Sequence, residues 1–179
     1  MSNAELLDHL RRSVSRGAPI QLASGATSDV YVDGRRVSLD PQGSLLLGRA
    51  ILAMAQAWGA TCVAGPVTGA CPLVSAAGVL AAQAGVPLKL VYVRGAPKEH
   101  GLGKAIEGAS LTPEDRVVLV EDVVTSGGSV LKAAERVAEQ AQVLGVWCMV
   151  DREAGGRERI EAAGYRFEAL ATLGDLSPA

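Results

Sequence analysis

The residues with the clearest chemical potential lie in one run, Val117 to Glu135, which reads VVLVEDVVTSGGSVLKAAE. An apolar stretch of strand character ends in two carboxylates, Glu121 and Asp122, with Val123 and Val124 after them. A short turn, Thr125-Ser126-Gly127-Gly128-Ser129, then opens a helix. The mouth of a helix offers unpaired backbone N–H groups and the positive end of a dipole, which suit a phosphate. Gly127 and Gly128 allow a close backbone approach, and the hydroxyls of Thr125, Ser126 and Ser129 add donors. Carboxylates at the carboxyl end of a buried strand stand where open α/β sheets bind ligands, and they suit the vicinal hydroxyls of a ribose. A Walker A loop would need GxxxxGK[ST], and the chain has none. An ordinary strand–turn–helix with solvated acids would not require this combination of paired acids, hydroxyls and glycines.

Four other segments carry candidate groups. Arg94 to Asp115 has charge and glycine but no apolar period, and it includes Arg94, Lys98 and His100. At roughly 20 residues it far exceeds the usual connection of about 4–6, and such loops are commonly functional. Its cations suit an anionic group. The histidine can carry a proton or donate a bond. Leu22 to Asp33, LASGATSDVYVD, is a Ser-Gly turn before a strand containing Tyr31 and Val32; alone it reads as a hairpin with a packed tyrosine. Val150 to Gly156, VDREAGG, ends a strand in Asp151-Arg152, which alone reads as a surface ion pair. Ala64 to Pro72, AGPVTGACP, is a glycine-rich turn after a strand, able to offer backbone N–H groups to an anion.

The elements that must position these groups alternate along the chain. Ala4–Arg16 reads as an amphipathic helix, followed by short extended pieces around Ile20–Leu22 and Val30–Val32. Asp40-Pro41 is a helix start, with Asp as cap and Pro at the first helical position, and the helix runs through Trp58. Strands are expected at Thr61–Ala64, Leu88–Val93, Arg116–Val120, Val143–Val150 and Tyr165–Leu170, with helices at Pro72–Ala84, Ser129–Gln142 and Arg157–Ala163. Continuous apolar runs such as VVLV mark strands buried on both faces. Alternation of strand and helix implies an α/β fold with a mostly parallel sheet.

Composition sets the remaining bounds. The 179 residues suit a single domain, and with 49% apolar but 3% aromatic residues the core must be Ala, Val and Leu. A net charge of −2, without a basic stripe, argues against nucleic acid as partner. Three cysteines without a CxxC pair fit a reducing cytoplasm, and no stretch reaches the ~20 apolar residues of a membrane span. No GxGxxG follows an early strand, so a dinucleotide enzyme is disfavoured.

The run Val117–Glu135 resembles the motif of type I phosphoribosyltransferases, which binds phosphoribosyl pyrophosphate (PRPP). Over about residues 18–170, with motifs in the same order, the chain is similar to the orotate phosphoribosyltransferases. That resemblance implies the type I phosphoribosyltransferase fold, a mostly parallel central sheet flanked by helices, over one domain of residues 1–179. Residues 1–40 would form a small N-terminal hood and 94–115 a mobile catalytic loop. It implies transfer of the phosphoribosyl group from PRPP to orotate, with Mg²⁺ bound mainly through PRPP. Glu121 and Asp122 would hold the ribose hydroxyls, Val123 would join them in binding PRPP, and Val124 to Ser129 would hold the 5′-phosphate. Arg94, Lys98 and His100 would act on the pyrophosphate, and Thr125, Arg152, Tyr31 and Val32 would meet orotate. The family's loop reaches the neighbouring subunit, so a homodimer is implied. Three positions depart from the common pattern of cations: Ala23 before the Ser-Gly turn, Gly69 in the glycine-rich turn, and Gly95 after Arg94. Another acceptor base, or a PRPP-sensing regulator without catalysis, stays open at this point.

Overall fold

A computed structural model describes residues 3–21, 27–95 and 105–176. The chain begins with α1 (Asn3–Ser13), then β1 (Val14–Gln21) and β2 (Thr27–Val32), which pair antiparallel as a two-stranded sheet. The expected first helix stops three residues early. Val14 pairs with Val32 and Ser13 Oγ turns back to the carbonyl of Leu10, so the strand takes the residues the helix would have used.

A single turn, α2 (Arg35–Ser38), leads to α3 (Pro41–Ala57). The expected cap is present: the Asp40 side chain accepts from the Gly43 N–H at 2.8 Å. The rest alternates: β3 (Cys62–Pro66), α4 (Cys71–Gln83), β4 (Lys89–Val93), β5 (Ile106–Gly108), β6 (Arg116–Val124), α5 (Gly128–Ala138), β7 (Gln142–Asp151), α6 (Gly156–Ala162) and β8 (Arg166–Thr172). The main sheet has the order β5-β4-β3-β6-β7-β8, parallel throughout except for β5 at its edge.

Alternation along β6 shows why the runs are apolar throughout. Val118 and Val120 enter a core with Leu47, Ile51, Leu73 and Val74 of α3 and α4. Val117 and Leu119 enter a second core with Val130, Ala134 and Val137 of α5 and Ile160 of α6. Each side chain finds apolar cover on its own face, as a sheet between two helical layers requires.

Two sequence expectations need correction. The strand expected to stop at Val120 continues to Val124, because β7 pairs with it as far as Val124 opposite Asp151. Glu121 and Asp122 are therefore strand residues. The segment after Arg94, expected to be loop throughout, contains β5, whose Gly108 to Ile106 pair with Val91 to Val93. Three residues suffice for a strand when a neighbour supplies the ladder, and so short an element leaves no periodic signal.

Candidate active site

The carboxyl ends of β3, β6 and β7 converge, and a cleft of about 300 Å³ opens over the end of β6. It is lined by Glu121, Val123, the whole turn Val124–Ser129, Val130 and Lys132. Gly127 adopts φ 71° as the cap residue of α5, a left-handed conformation that favours glycine, and no side chain caps the helix. Its approach to the start of α6 is close: a Cβ there would stand 3.2 Å from the Gly156 carbonyl oxygen and from Ile160. The turn is thus fixed by packing against α6, with the mouth of α5 facing the cleft. Thr125, Ser126 and Gly128 are half-buried, Ser129 is exposed and Val124 is buried in the second core.

Because the acids lie within a strand, they alternate in direction. Asp122 lies against two glycines: a Cβ on Gly69 would sit 2.6 Å from Asp122 Oδ1, and one on Gly34 would sit 3.3 Å from Asp122 Oδ2. The glycine-rich turn after β3 and the exit from β2 are thereby brought to the same carboxylate. Asp122 Oδ1 also accepts from the Val123 N–H at 2.8 Å. Glu121 is 8% exposed. Burial, and then the neighbouring Asp122 charge, push its carboxyl well above the usual range. Its recorded hydrogen bond is a long one, from the Asp122 N–H at 3.3 Å. A carboxyl taken from water with so little compensation is disfavoured as an anion, and it is a natural receiver for hydroxyl donors.

Arg152 does not form the surface pair that Asp151-Arg152 suggests in isolation. It is buried, its N–H donates to the Val124 carbonyl at 2.9 Å, and Nη2 donates to the Val30 carbonyl at 2.7 Å. The guanidinium so ties β2 to the active end of the sheet, and burial lowers its pKa. Asp151 bonds instead to Arg157, at 3.3 Å, and to the Glu153 N–H. On β2, Tyr31 is half-buried, while Val32 is buried in the first core. Asp33 Oδ1 is enclosed without a hydrogen bond, 3.6 Å from Arg35 Nε.

The stem of the polar loop is held by four hydrogen bonds. The Arg94 N–H donates to the Ala105 carbonyl at 2.8 Å, and Arg94 Nη1 meets Glu107 Oε1 at 3.2 Å. Arg136 of α5 donates to the carbonyls of Arg94 and, at 2.8 Å, Gly95. Lys98 and His100 lie outside the described residues, as does Ala23.

Sequence reading did not single out Arg136, Lys132, Arg157 or Arg159. Lys132 follows Ser129 by three residues and so shares its helical face, a signal that was available. Arg136 and Arg159 act on segments far from them in the chain, and no local pattern announces them.

Residues 50–165 match the phosphoribosyl transferase domain family. An orotate phosphoribosyltransferase of Rhodopirellula baltica is 44% identical over 161 residues, covering 86% of this chain and 83% of the relative. One from Nostoc is 38% identical over 173 residues, covering 96% and 84%. Among solved structures, Mycobacterium tuberculosis orotate phosphoribosyltransferase in complex with PRPP superposes with a TM-score of 0.78 at 35% identity, over 97% of this chain and 98% of that one. The same enzyme with Fe(III) dicitrate gives 0.83 at 38% identity, over 98% and 99%. The likeness extends over nearly the full length and includes the strand–turn–helix built above, and the chain therefore belongs to the phosphoribosyltransferase family, among the orotate phosphoribosyltransferases.

Proposed function

We propose that the chain transfers the 5-phosphoribosyl group of PRPP to N1 of orotate, releasing pyrophosphate and forming orotidine 5′-monophosphate in pyrimidine synthesis. The observation that carries this reading is the β6–α5 turn, where an uncapped helix mouth stands beside the buried carboxyl of Glu121. The 5′-phosphate lies on the N–H groups of the turn and the mouth of α5, and the ribose 2′- and 3′-hydroxyls donate to Glu121 and Asp122.

Orotate reacts as its anion, so the protein need not supply a strong base; positioning and charge stabilisation do most of the work. As the C1′–O bond loosens, positive charge grows on the sugar and negative charge on the pyrophosphate. Arg94, Lys98 and His100 act on the pyrophosphate, while Thr125, Arg152 and the strand bearing Tyr31 and Val32 orient the base. Mg²⁺ would be held mainly through the oxygens of PRPP and would keep several waters, so no protein ligand is assigned to it. When bound it neutralises charge on the leaving group.

The polar segment that begins at Arg94 supplies cations to the neighbouring site of a homodimer. An apolar groove of about 500 Å³, with exposed Leu39 and Val79, offers a surface for the second copy. Among the described residues no helix is long and apolar enough to cross a membrane. The free thiols Cys62, Cys71 and Cys148 suit a cytoplasmic setting.

The test is loss of orotate absorbance in the presence of PRPP and Mg²⁺. Turnover that stops without Mg²⁺ supports acceptor and metal together. PRPP binding without orotate turnover overturns the acceptor and sends the search to a panel of other bases.

A further inference from the structure

Two cations outside the family motif stand at the phosphate turn. Lys132 is exposed on α5 and lines the cleft with Thr125 to Ser129. Helical side chains lean toward the N-terminus, so a lysine one turn into α5 extends over the mouth of its own helix. A cation there opposes the helix dipole unless an anion sits between them. The first turn of α5 carries no acid.

The second cation comes from α6. Arg159 Nη1 donates to the Ser126 carbonyl at 3.4 Å and lies 3.7 Å from where a Cβ on Gly128 would stand. Its neighbour Arg157 is taken by Asp151 and Glu161, at 3.3 and 3.6 Å. Among the described residues no carboxylate pairs with Arg159, and a guanidinium that spends one N–H on Ser126 keeps further donors for a phosphate.

We propose that Lys132 and Arg159 are additional ligands of the 5′-phosphate of PRPP, bracketing it from α5 and α6. This rests on the turn being the 5′-phosphate site. It also bears on the departures at Ala23, Gly69 and Gly95. This chain lacks cations at those positions and carries two at the phosphate turn, so its grip on PRPP is weighted toward the sugar-phosphate end.

The test is calorimetric titration of the full chain with ribose 5-phosphate and with PRPP–Mg²⁺, using Lys132→Met, Arg159→Met, the double variant and Arg159→Lys. Each Met variant should weaken ribose 5-phosphate by about tenfold, as expected for loss of one charge-assisted hydrogen bond. The double variant should lose more than either, Arg159→Lys should recover part, and the loss in turnover should appear in the KM for PRPP more than in kcat. Both side chains are exposed, so unfolding midpoints should stay near that of the parent chain and separate this effect from a folding defect. Ribose 5-phosphate affinity within twofold of the parent in both single variants overturns the proposal while leaving the orotate reaction intact. If the parent binds ribose 5-phosphate and the variants weaken it, yet orotate is not consumed, the acceptor falls and this proposal stands. If the parent binds neither ribose 5-phosphate nor PRPP, both fall.

Discussion

The two ends of β6 each hold a buried acid, and the two are treated in opposite ways. At the start of the strand, Asp115 accepts from Lys89 Nζ at 2.7 Å, from the Thr112 N–H at 2.8 Å, and from the hydroxyls of Thr112 and Thr61. Those partners lie at the starts of β3 and β4 and in the connection to β6, so one carboxylate ties three segments together. The hydrogen bond from Lys89 is the largest cause of its lowered pKa. Six residues later Glu121 is also buried, but among the described residues no cation pairs with it, and burial raises its pKa. A fully satisfied acid holds a fold. An acid left without its partners costs stability, and the cost is consistent with a ligand that completes the site. Substitutions at the two ends should therefore have opposite effects on stability and activity.

The largest effect is expected at the ligand end. Gly69→Val puts a side chain where Asp122 Oδ1 stands, 2.6 Å from the new Cβ. Asp122 or the turn must move, and a displacement of about 1 Å at a reacting centre costs roughly 100-fold in rate. Steady-state kinetics should show that loss in kcat/KM, with a melting temperature only slightly lowered. A variant with parental kcat/KM would show that Asp122 need not be held where it is.

At the other end, Asp115→Ala should cost roughly 1.5–3 kcal/mol of stability, the scale of hydrogen bonds to a charged group. Urea unfolding measures it. The protein that remains folded should keep its KM for PRPP, because Asp115 belongs to the end of the sheet opposite the cleft. A changed KM at unchanged stability would reverse the roles assigned to the two ends.

The pH dependence of stability sharpens the same contrast. Glu121 has a folded pKa above its ordinary value of 4.5, so the folded state holds its proton more tightly than the unfolded chain. Stability from this group is present below 4.5 and is lost as pH rises through the folded value. Asp115 has a folded pKa below 3.8, so its contribution is present above that value and is lost as pH falls through the folded one. Glu121→Gln should therefore flatten the decline on the alkaline side and raise the melting temperature at neutral pH, while weakening PRPP. Melting curves of parent and variant that stay parallel from acid to neutral pH would remove Glu121 as the source.

How much of this was legible in sequence follows from how local each cause is. The start of α3 was readable because Asp40 and Pro41 act on their own helix. The strand, turn and helix of β6 and α5 were readable because strand, hydroxyls, glycines and helix are consecutive. The extension of β6 to Val124 was not, since the partner that draws it out is β7. Nor was β5, which exists through its ladder with β4. The need for glycine at position 69 arises from Asp122, fifty-three residues away in number (122 against 69) and in contact only once the sheet is formed. For the same reason Gly69 first reads as a missing cation, whereas the structure has no room there for any side chain without movement.

The smallest expected effect is at Gly95, which differs from Gly69 although both depart from the family's cations. A Cβ at Gly95 would meet nothing within 4 Å, and the residue is exposed. Its carbonyl is already fixed by Arg136 Nη2 at 2.8 Å, and Arg94 beside it is anchored to Glu107. A side chain can be added here without disturbing the stem. Gly95→Lys should thus raise kcat a few-fold, since one exposed charge contributes on the order of 0.2–1 kcal/mol, and the gain should shrink with added salt as screening increases. Arg136→Ala in the same background should remove the gain, because the new lysine would then project from an unanchored backbone. A Gly95→Lys gain that survives the loss of Arg136 would mean that the charge acts without the stem's geometry. No gain in either background would mean that the loop's cations are already sufficient for the leaving group.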